Sequence, residues 1–232
     1  MGAAEPVWNV FAAPVELAEA LADRIAEALS EALRKRGQAT LAVSGGRTPV
    51  GLFRALSRKR LDWPKVIVTL VDERFVPPDD ERSNARLVRE NLRTGEAARL
   101  TFVPLYRPTG TIGEAAQAAG FSIAGLPKPF DVVVLGMGAD GHTASFFPDA
   151  PDLAALLANE EGRHVLPVVA KSAGEPRLTL PLQTICAARL LVLHIEGEEK
   201  RQVLTAALAT RDKPVSAVFD HASDGVQIYW AP

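Results

Sequence analysis

Cysteine is nearly absent from this chain: the single Cys186 leaves no partner for an internal disulfide, and its apolar setting LPLQTICAARLLVL predicts a small buried thiol in a reducing compartment. No run of about 18 apolar residues escapes a charge or a turn former, so no membrane-spanning helix is expected. The opening MGAAEPVWNVFAAPVELAEA lacks a basic start followed by an apolar core, and Pro6 stands where an acylation signal needs Ser or Thr. Secretion and lipid anchoring are therefore not expected, and the cytoplasm is the expected compartment. Positive charge is not in excess either, with 26 basic against 28 acidic residues and a net charge of −2. No overall field exists to hold nucleic acid or an anionic membrane, so any anionic partner must be caught locally.

Several catalytic signatures are also missing. There is no His-x-x-x-His and no cysteine pair, and Asp140 with His142 supplies only two candidate ligands, so no metal is expected. No G-x-S-x-G elbow is present to activate a serine, and no Lys-Ser or Lys-Thr follows a glycine turn at P-loop spacing. Direct attack by water, with no cofactor, is the chemistry left open.

What is present is a well-patterned α/β chain. Its 232 residues, 47% hydrophobic and 23% charged, suit one folded domain spanning 1–232. Leu17, Leu21, Ile25, Leu29 and Leu33 recur at spacing four between Pro14 and Gly37, which predicts an amphipathic helix with a core-facing stripe. Apolar strands are predicted at Thr40 to Ser44, Val66 to Val71, Asp131 to Leu135, His164 to Ala170, Arg189 to Ile195 and Val226 to Trp230. Helices are predicted around Leu52 to Leu56, after a Ser83 cap, and from Glu198 to Ala209. The Pro/Gly-rich stretch Pro104 to Pro129 reads as a connection with one short helix around Glu114 to Ala119. Strands alternating with helices predict a mainly parallel sheet covered on both faces.

Ligands of open parallel sheets bind beyond the carboxyl ends of the strands, which directs attention to three turns: Ser44 to Thr48, Asp72 to Arg74, and Gly136 to His142. Ser44-Gly45-Gly46-Arg47-Thr48 offers backbone N–H groups before a helix start and suits phosphate; it also reads as a plain strand-to-helix turn with Thr48 as the cap. Gly136-Met-Gly138-Ala-Asp-Gly141 matches the letters of a dinucleotide fingerprint, but Pro148 and Pro151 break the helix that fingerprint must open. His142 is the one histidine of four in a glycine-rich loop after a strong strand. It is the candidate general base, and a capping or loop histidine is the bland alternative. His164, His194 and His221 read as strand start, strand end and C-terminal loop. Asp140 or Asp72 orients the base or the water, or each holds its own turn. Arg74 or the backbone N–H groups from Gly136 to Gly141, Gly138 among them, meet a developing oxyanion.

Together LAVSGGRTP (41–49), VDERFVP (71–77) with Ser83-Asn84, and LGMGADGHTASFFP (135–148) resemble successive signatures of the 6-phosphogluconolactonase family; PRLTL (176–180) and GEEK (197–200) resemble two more blocks. The resemblance implies a three-layer α/β/α domain with a mainly parallel, Rossmann-like sheet, similar to the sugar-phosphate isomerase fold. It implies His142 as the base, and the Ser44-Gly45-Gly46 turn with Arg177 and Lys200 around the phosphate of a sugar lactone. Arg47 stands where the family often has serine, Phe146 where leucine is common, and the segment after Lys213 is weakly similar. Glucosamine-6-phosphate isomerases share the Asp-Gly-His turn but continue into Phe-Asn-Glu-Pro, and here Phe147 takes the glutamate's place. A sugar-phosphate sensor is the alternative from outside catalysis, and no helix-turn-helix or basic arm accompanies it.

Overall fold

A computed structural model describes residues 6–232. The expectation that the chain carries no leader or acylation signal falls in part on positions 1–5, outside the described residues. In chain order the elements are β1 (Val7–Val10), α1 (Pro14–Arg36), β2 (Ala39–Val43), α2 (Pro49–Leu56), β3 (Val66–Leu70), β4 (Asp72–Arg74), α3 (Asn84–Asn91), β5 (Thr101–Val103) and α4 (Ile112–Ala124). They continue as β6 (Val132–Leu135), α5 (Leu153–Ala158), β7 (Leu166–Val168), β8 (Arg177–Thr179), α6 (Leu182–Cys186), β9 (Leu190–Glu196), α7 (Glu198–Thr210), α8 (Pro214–His221) and β10 (Gln227–Ala231). A seven-stranded sheet in the order β1-β10-β9-β6-β2-β3-β5 is parallel throughout, and helices flank it in three α/β/α layers. Every residue of β2 and β6 is buried, as strands covered on both faces require.

The long helix forms as its periodicity predicts, with Leu17, Leu21, Ile25 and Leu29 fully buried. Each such side chain contributes about 1.5–3 kcal/mol of burial. Leu33 is only partly buried though still packed against the core: each step of four overshoots the helical repeat, and Ala32 is the deeper residue at this end. Gly37, at φ 73°, then ends the helix by donating its N–H to the Leu33 carbonyl.

Three expectations need correction. Asp72 to Arg74 is a strand, not a turn. Val71 donates its N–H to Val43 of the main sheet while its carbonyl accepts from Leu180, so the chain crosses there into a second, antiparallel sheet, β4-β8-β7. The strand expected over His164 to Ala170 shrinks to Leu166–Val168, with Pro167 unable to donate at its centre. In the 104–129 stretch the helix runs for 13 residues, Ile112–Ala124, because Thr111 and Glu114 form a reciprocal capping box. Gly113 and Gly120 had masked it. Elements not anticipated are β1, β5, β8 and the short helices α5, α6 and α8. Among the described residues no helix is long and apolar enough to cross a membrane.

Glu73 ties the second sheet to α3. Fully buried, it accepts from the Arg74 and Asn84 amides, both at 2.8 Å, from the Ala85 amide at 2.7 Å, and from the Ser83 hydroxyl at 3.1 Å. Burial pushes its carboxyl pKa up, and the bonds from Asn84, Ala85 and Arg74 pull against that shift. Glu73→Ala strands several buried donors and is expected to cost about 2–5 kcal/mol. Urea unfolding at pH 7 measures the loss, and an unchanged midpoint would show that the clamp contributes nothing.

Candidate active site

From β2 the chain proceeds to β3 and β5 on one side of the sheet; from β6 it proceeds to β9 and β10 on the other. The order reverses between β2 and β6, which are hydrogen-bonded neighbours, so the turns that leave them diverge and open a crevice. Ser44 still donates its N–H to Val134, and a methyl at Gly136 would sit 3.5 Å from its hydroxyl. A cleft of about 270 Å³ opens here, bordered by Ser44 to Thr48, Asp72, Arg74, Gly136 to Gly138, His142, Arg177 and Lys200. Larger hollows near α5 and α4 contain none of these residues. The three strand ends singled out in the sequence do converge.

His142 is held from several directions. Its Nδ1 lies 2.6 Å from Asp140 Oδ1, which also accepts the His142 backbone N–H at 3.1 Å. One carboxylate thus both holds the turn and orients the ring, and Asp72 does not touch the imidazole. A carboxylate oxygen only accepts, so this bond places the neutral ring's proton on Nδ1 and leaves Nε2 bare. Gly138 donates to the His142 carbonyl and accepts from Gly141, closing the loop on itself. A methyl at Gly138 would overlap the imidazole and lie 2.6 Å from Asp140 Oδ1. On another side the imidazole stacks on Phe147, with ring centroids 4.4 Å apart. No helix follows directly from this turn: Thr143 bridges to Phe146, and α5 begins only at Leu153. The dinucleotide pattern is a match of letters alone.

The cations around the cleft have few partners. Arg47 is exposed. Lys200, in the first turn of α7, is half-buried; burial lowers its pKa, Glu196 opposes that, and Arg47 adds to it. Arg177 lies directly across the antiparallel ladder from Arg74. It is buried, and burial and then the Arg74 charge push its guanidinium pKa down. It donates through Nη2 to the Ala173 carbonyl, while the Nε atoms of Arg74 and Arg177 are buried without a partner among the described residues. Arg74 also donates through Nη1 to the Arg82 carbonyl. Thr48 does not cap α2: its backbone is already helical and its side chain makes no capping bond. The α2 N-terminus therefore faces the cleft without a side-chain cap, and Gly46, at φ 92°, supplies a backbone few other residues adopt.

Asp72 accepts from the buried Ser145 hydroxyl at 2.7 Å, anchoring the segment after His142 to β4. Between the anchored Thr143 and Ser145, Ala144 is held at φ 47°, in the left-handed region. Asn84 and His194 also line the cleft and are not among the site residues expected from the sequence. Asn84 donates its amide to the Asp72 carbonyl at 2.9 Å and presses on Gly45, where any methyl would overlap it. No local pattern reveals that contact. His194, by contrast, lies near the carboxyl end of β9, beside β6, and the strand-end rule that selected the other turns points to it too. Its Nε2 lies 3.2 Å from Glu196. His164 and His221 lie outside the cleft.

A family model described as glucosamine-6-phosphate isomerases/6-phosphogluconolactonase matches residues 12–230. The chain belongs to this family. It is 54% identical over 226 residues to a 6-phosphogluconolactonase of Mesorhizobium japonicum, covering 97% of this chain and 95% of that protein. One from Pseudomonas aeruginosa is 44% identical over 224 residues, covering 97% and 94%. Among solved structures, a 6-phosphogluconolactonase from Shewanella baltica superposes with a TM-score of 0.95 at 39% identity, covering 99% of each chain. The enzyme from Trypanosoma brucei superposes at 0.83 and 27% identity, covering 98% and 96%.

Gly138→Ala is expected to push the imidazole off Asp140 while the chain still folds, since the three atoms nearest the added methyl all belong to the His142 and Asp140 side chains. A crystal structure of the variant gives the Nδ1–Oδ1 separation directly. Retention of the 2.6 Å bond would contradict this account of the glycine.

Proposed function

We propose that this chain hydrolyses 6-phosphoglucono-δ-lactone to 6-phosphogluconate in the pentose phosphate pathway, with His142 as general base. It acts as a carboxylic ester hydrolase. The observation that carries the reading is the His142–Asp140 pair, fixed at the rim of a cationic cleft with an apolar ring, Phe147, as its neighbour. An isomerase of the same family would be expected to place a carboxylate where Phe147 stands; its absence removes an acid/base group that enolisation would use.

With Nδ1–H committed to Asp140, Nε2 takes a proton from the attacking water as its oxygen adds to the lactone carbonyl. The imidazolium then returns a proton to the ring oxygen as the C–O bond breaks, leaving a hydroxyl and a carboxylic acid, which gives its proton to solvent and becomes a carboxylate. Asp140 stabilises the imidazolium between the two transfers. The turn amides of Gly138 and Gly141 are already spent on the His142 and Gly138 carbonyls, so Arg74, which lines the cleft, is the better donor to the oxyanion. One good donor there lowers the barrier by about 3 kcal/mol. The uncapped Ser44 to Thr48 turn, with Arg47, Lys200 and Arg177, holds the phosphate. A single buried Cys186, its thiol pKa pushed up to about 12 by burial, suits a reducing cytoplasm. A net charge of −2 suits a small anion caught locally better than nucleic acid.

Purified protein should hydrolyse the phosphorylated lactone, and release of ammonia from glucosamine 6-phosphate instead would favour the isomerase. His142→Ala should lower kcat by about 10²- to 10⁴-fold while 6-phosphogluconate still binds. Wild-type turnover in the folded variant would remove His142 from the mechanism. Taking the phosphate off the lactone should lower kcat/KM by about 10²- to 10⁴-fold, the loss of two charge-assisted contacts. Lys200→Ala and Arg177→Ala should each narrow that gap, and an unchanged ratio in both would place the phosphate elsewhere.

A further inference from the structure

We propose that Phe147 is a positioning residue for His142, a role that rests on the hydrolytic reading above. Asp140 holds the imidazole through one atom, Nδ1, and sits exposed in its loop, so that bond alone leaves the ring free to pivot about the N···O line. The Phe147 ring removes this freedom. It is 4% exposed, and its plane lies 30° from that of the imidazole at a centroid distance of 4.4 Å. A flat apolar face this close favours the stacked orientation of a second flat ring and keeps water off that side.

Phe147 is itself fixed from the second sheet. The Arg177 guanidinium carbon lies 5.6 Å from the centroid of the Phe147 ring, and Arg177 is anchored on β8 and on the Ala173 carbonyl. A chain of contacts thus runs from β8 through Arg177 and Phe147 to His142, independent of the Asp140 loop. A carboxylate at this position would orient the ring through a charge and enter the proton transfers. Phenylalanine orients it while contributing no titratable group. Its side chain leaves the substrate's protons to His142 alone, so its effect should fall on the chemical step.

Phe147→Leu keeps an apolar side chain but loses the flat face, and Phe147→Tyr keeps the face. In the leucine variant kcat should fall by about 10- to 100-fold, the scale of a small misplacement of a catalytic group, with KM and the 6-phosphogluconate Kd within about threefold of wild type. The tyrosine variant should recover kcat to within about threefold. Nitrogen-15 spectra of the His142 ring should change from one tautomer, protonated at Nδ1, to an average of two in Phe147→Leu and not in Phe147→Tyr. Should the leucine variant fail to fold, Phe147→Met carries the same comparison. A kcat unchanged by loss of the flat face, a rise in KM that matches the fall in kcat, or an unaltered imidazole spectrum would each overturn the proposal. Wild-type protein that leaves the lactone intact would count against the hydrolytic reading instead, and the imidazole spectrum would still decide whether Phe147 sets the ring.

Discussion

The reversal of strand order between β2 and β6 is the constraint from which the site follows. Two parallel neighbours whose chains depart in opposite directions cannot both be roofed by their own crossover helices, so their carboxyl ends remain open. Backbone from two turns must then share a space meant for one. Small residues are the physical solution at two points: Gly45 for the Asn84 amide and Gly138 for the His142 ring. Gly45 and Gly138, which look like flexible loop in the sequence, are close-packing positions in the fold, whereas Gly46 serves its left-handed backbone.

A second element completes what the crevice alone lacks. At Val71 the chain passes from the main sheet to the small antiparallel one, and β4 carries Asp72 and Arg74 to the cleft wall while β8 brings Arg177 opposite Arg74. Like charges across a ladder work against folding, and the depressed pKa of Arg177 is partly that repulsion. The opposing charges of Asp72, Glu175 and Glu73 offset some of it. Glu73 spends both oxygens on the start of α3 and so holds Asn84 where it meets Gly45.

Much of this was legible from sequence because its causes are local. Period with a flanking proline and glycine placed α1, continuous apolar runs placed β2, β3, β6 and β9, and the strand-end rule picked out three of the segments that border the cleft. Asp140 and His142 lie two residues apart, so their pairing could be anticipated though not chosen over Asp72. The crossing at Val71 was hidden, because residues 66–74 read as one strand and its turn until β8, a hundred residues later, supplies the partner. Asn84 against Gly45 is likewise a contact between segments with no shared local signal. In the 104–129 stretch two glycines outweighed a capping box that was visible in the letters.

The same geometry explains why a cleft so small can be selective. A neutral ligand would have to enter beside Arg177 and Lys200, which burial partly desolvates, and Arg74, whose Nε like that of Arg177 is buried without a partner among the described residues, with the exposed Arg47 at the rim. Those cations lower the stability of the empty protein, and an anion that meets them recovers the lost interaction at the moment of binding. The histidine needs no such rearrangement, since Asp140, Gly138 and Phe147 already confine it. Binding energy from the charged end of a substrate can therefore go into placing its reactive carbonyl against a base that is already in place.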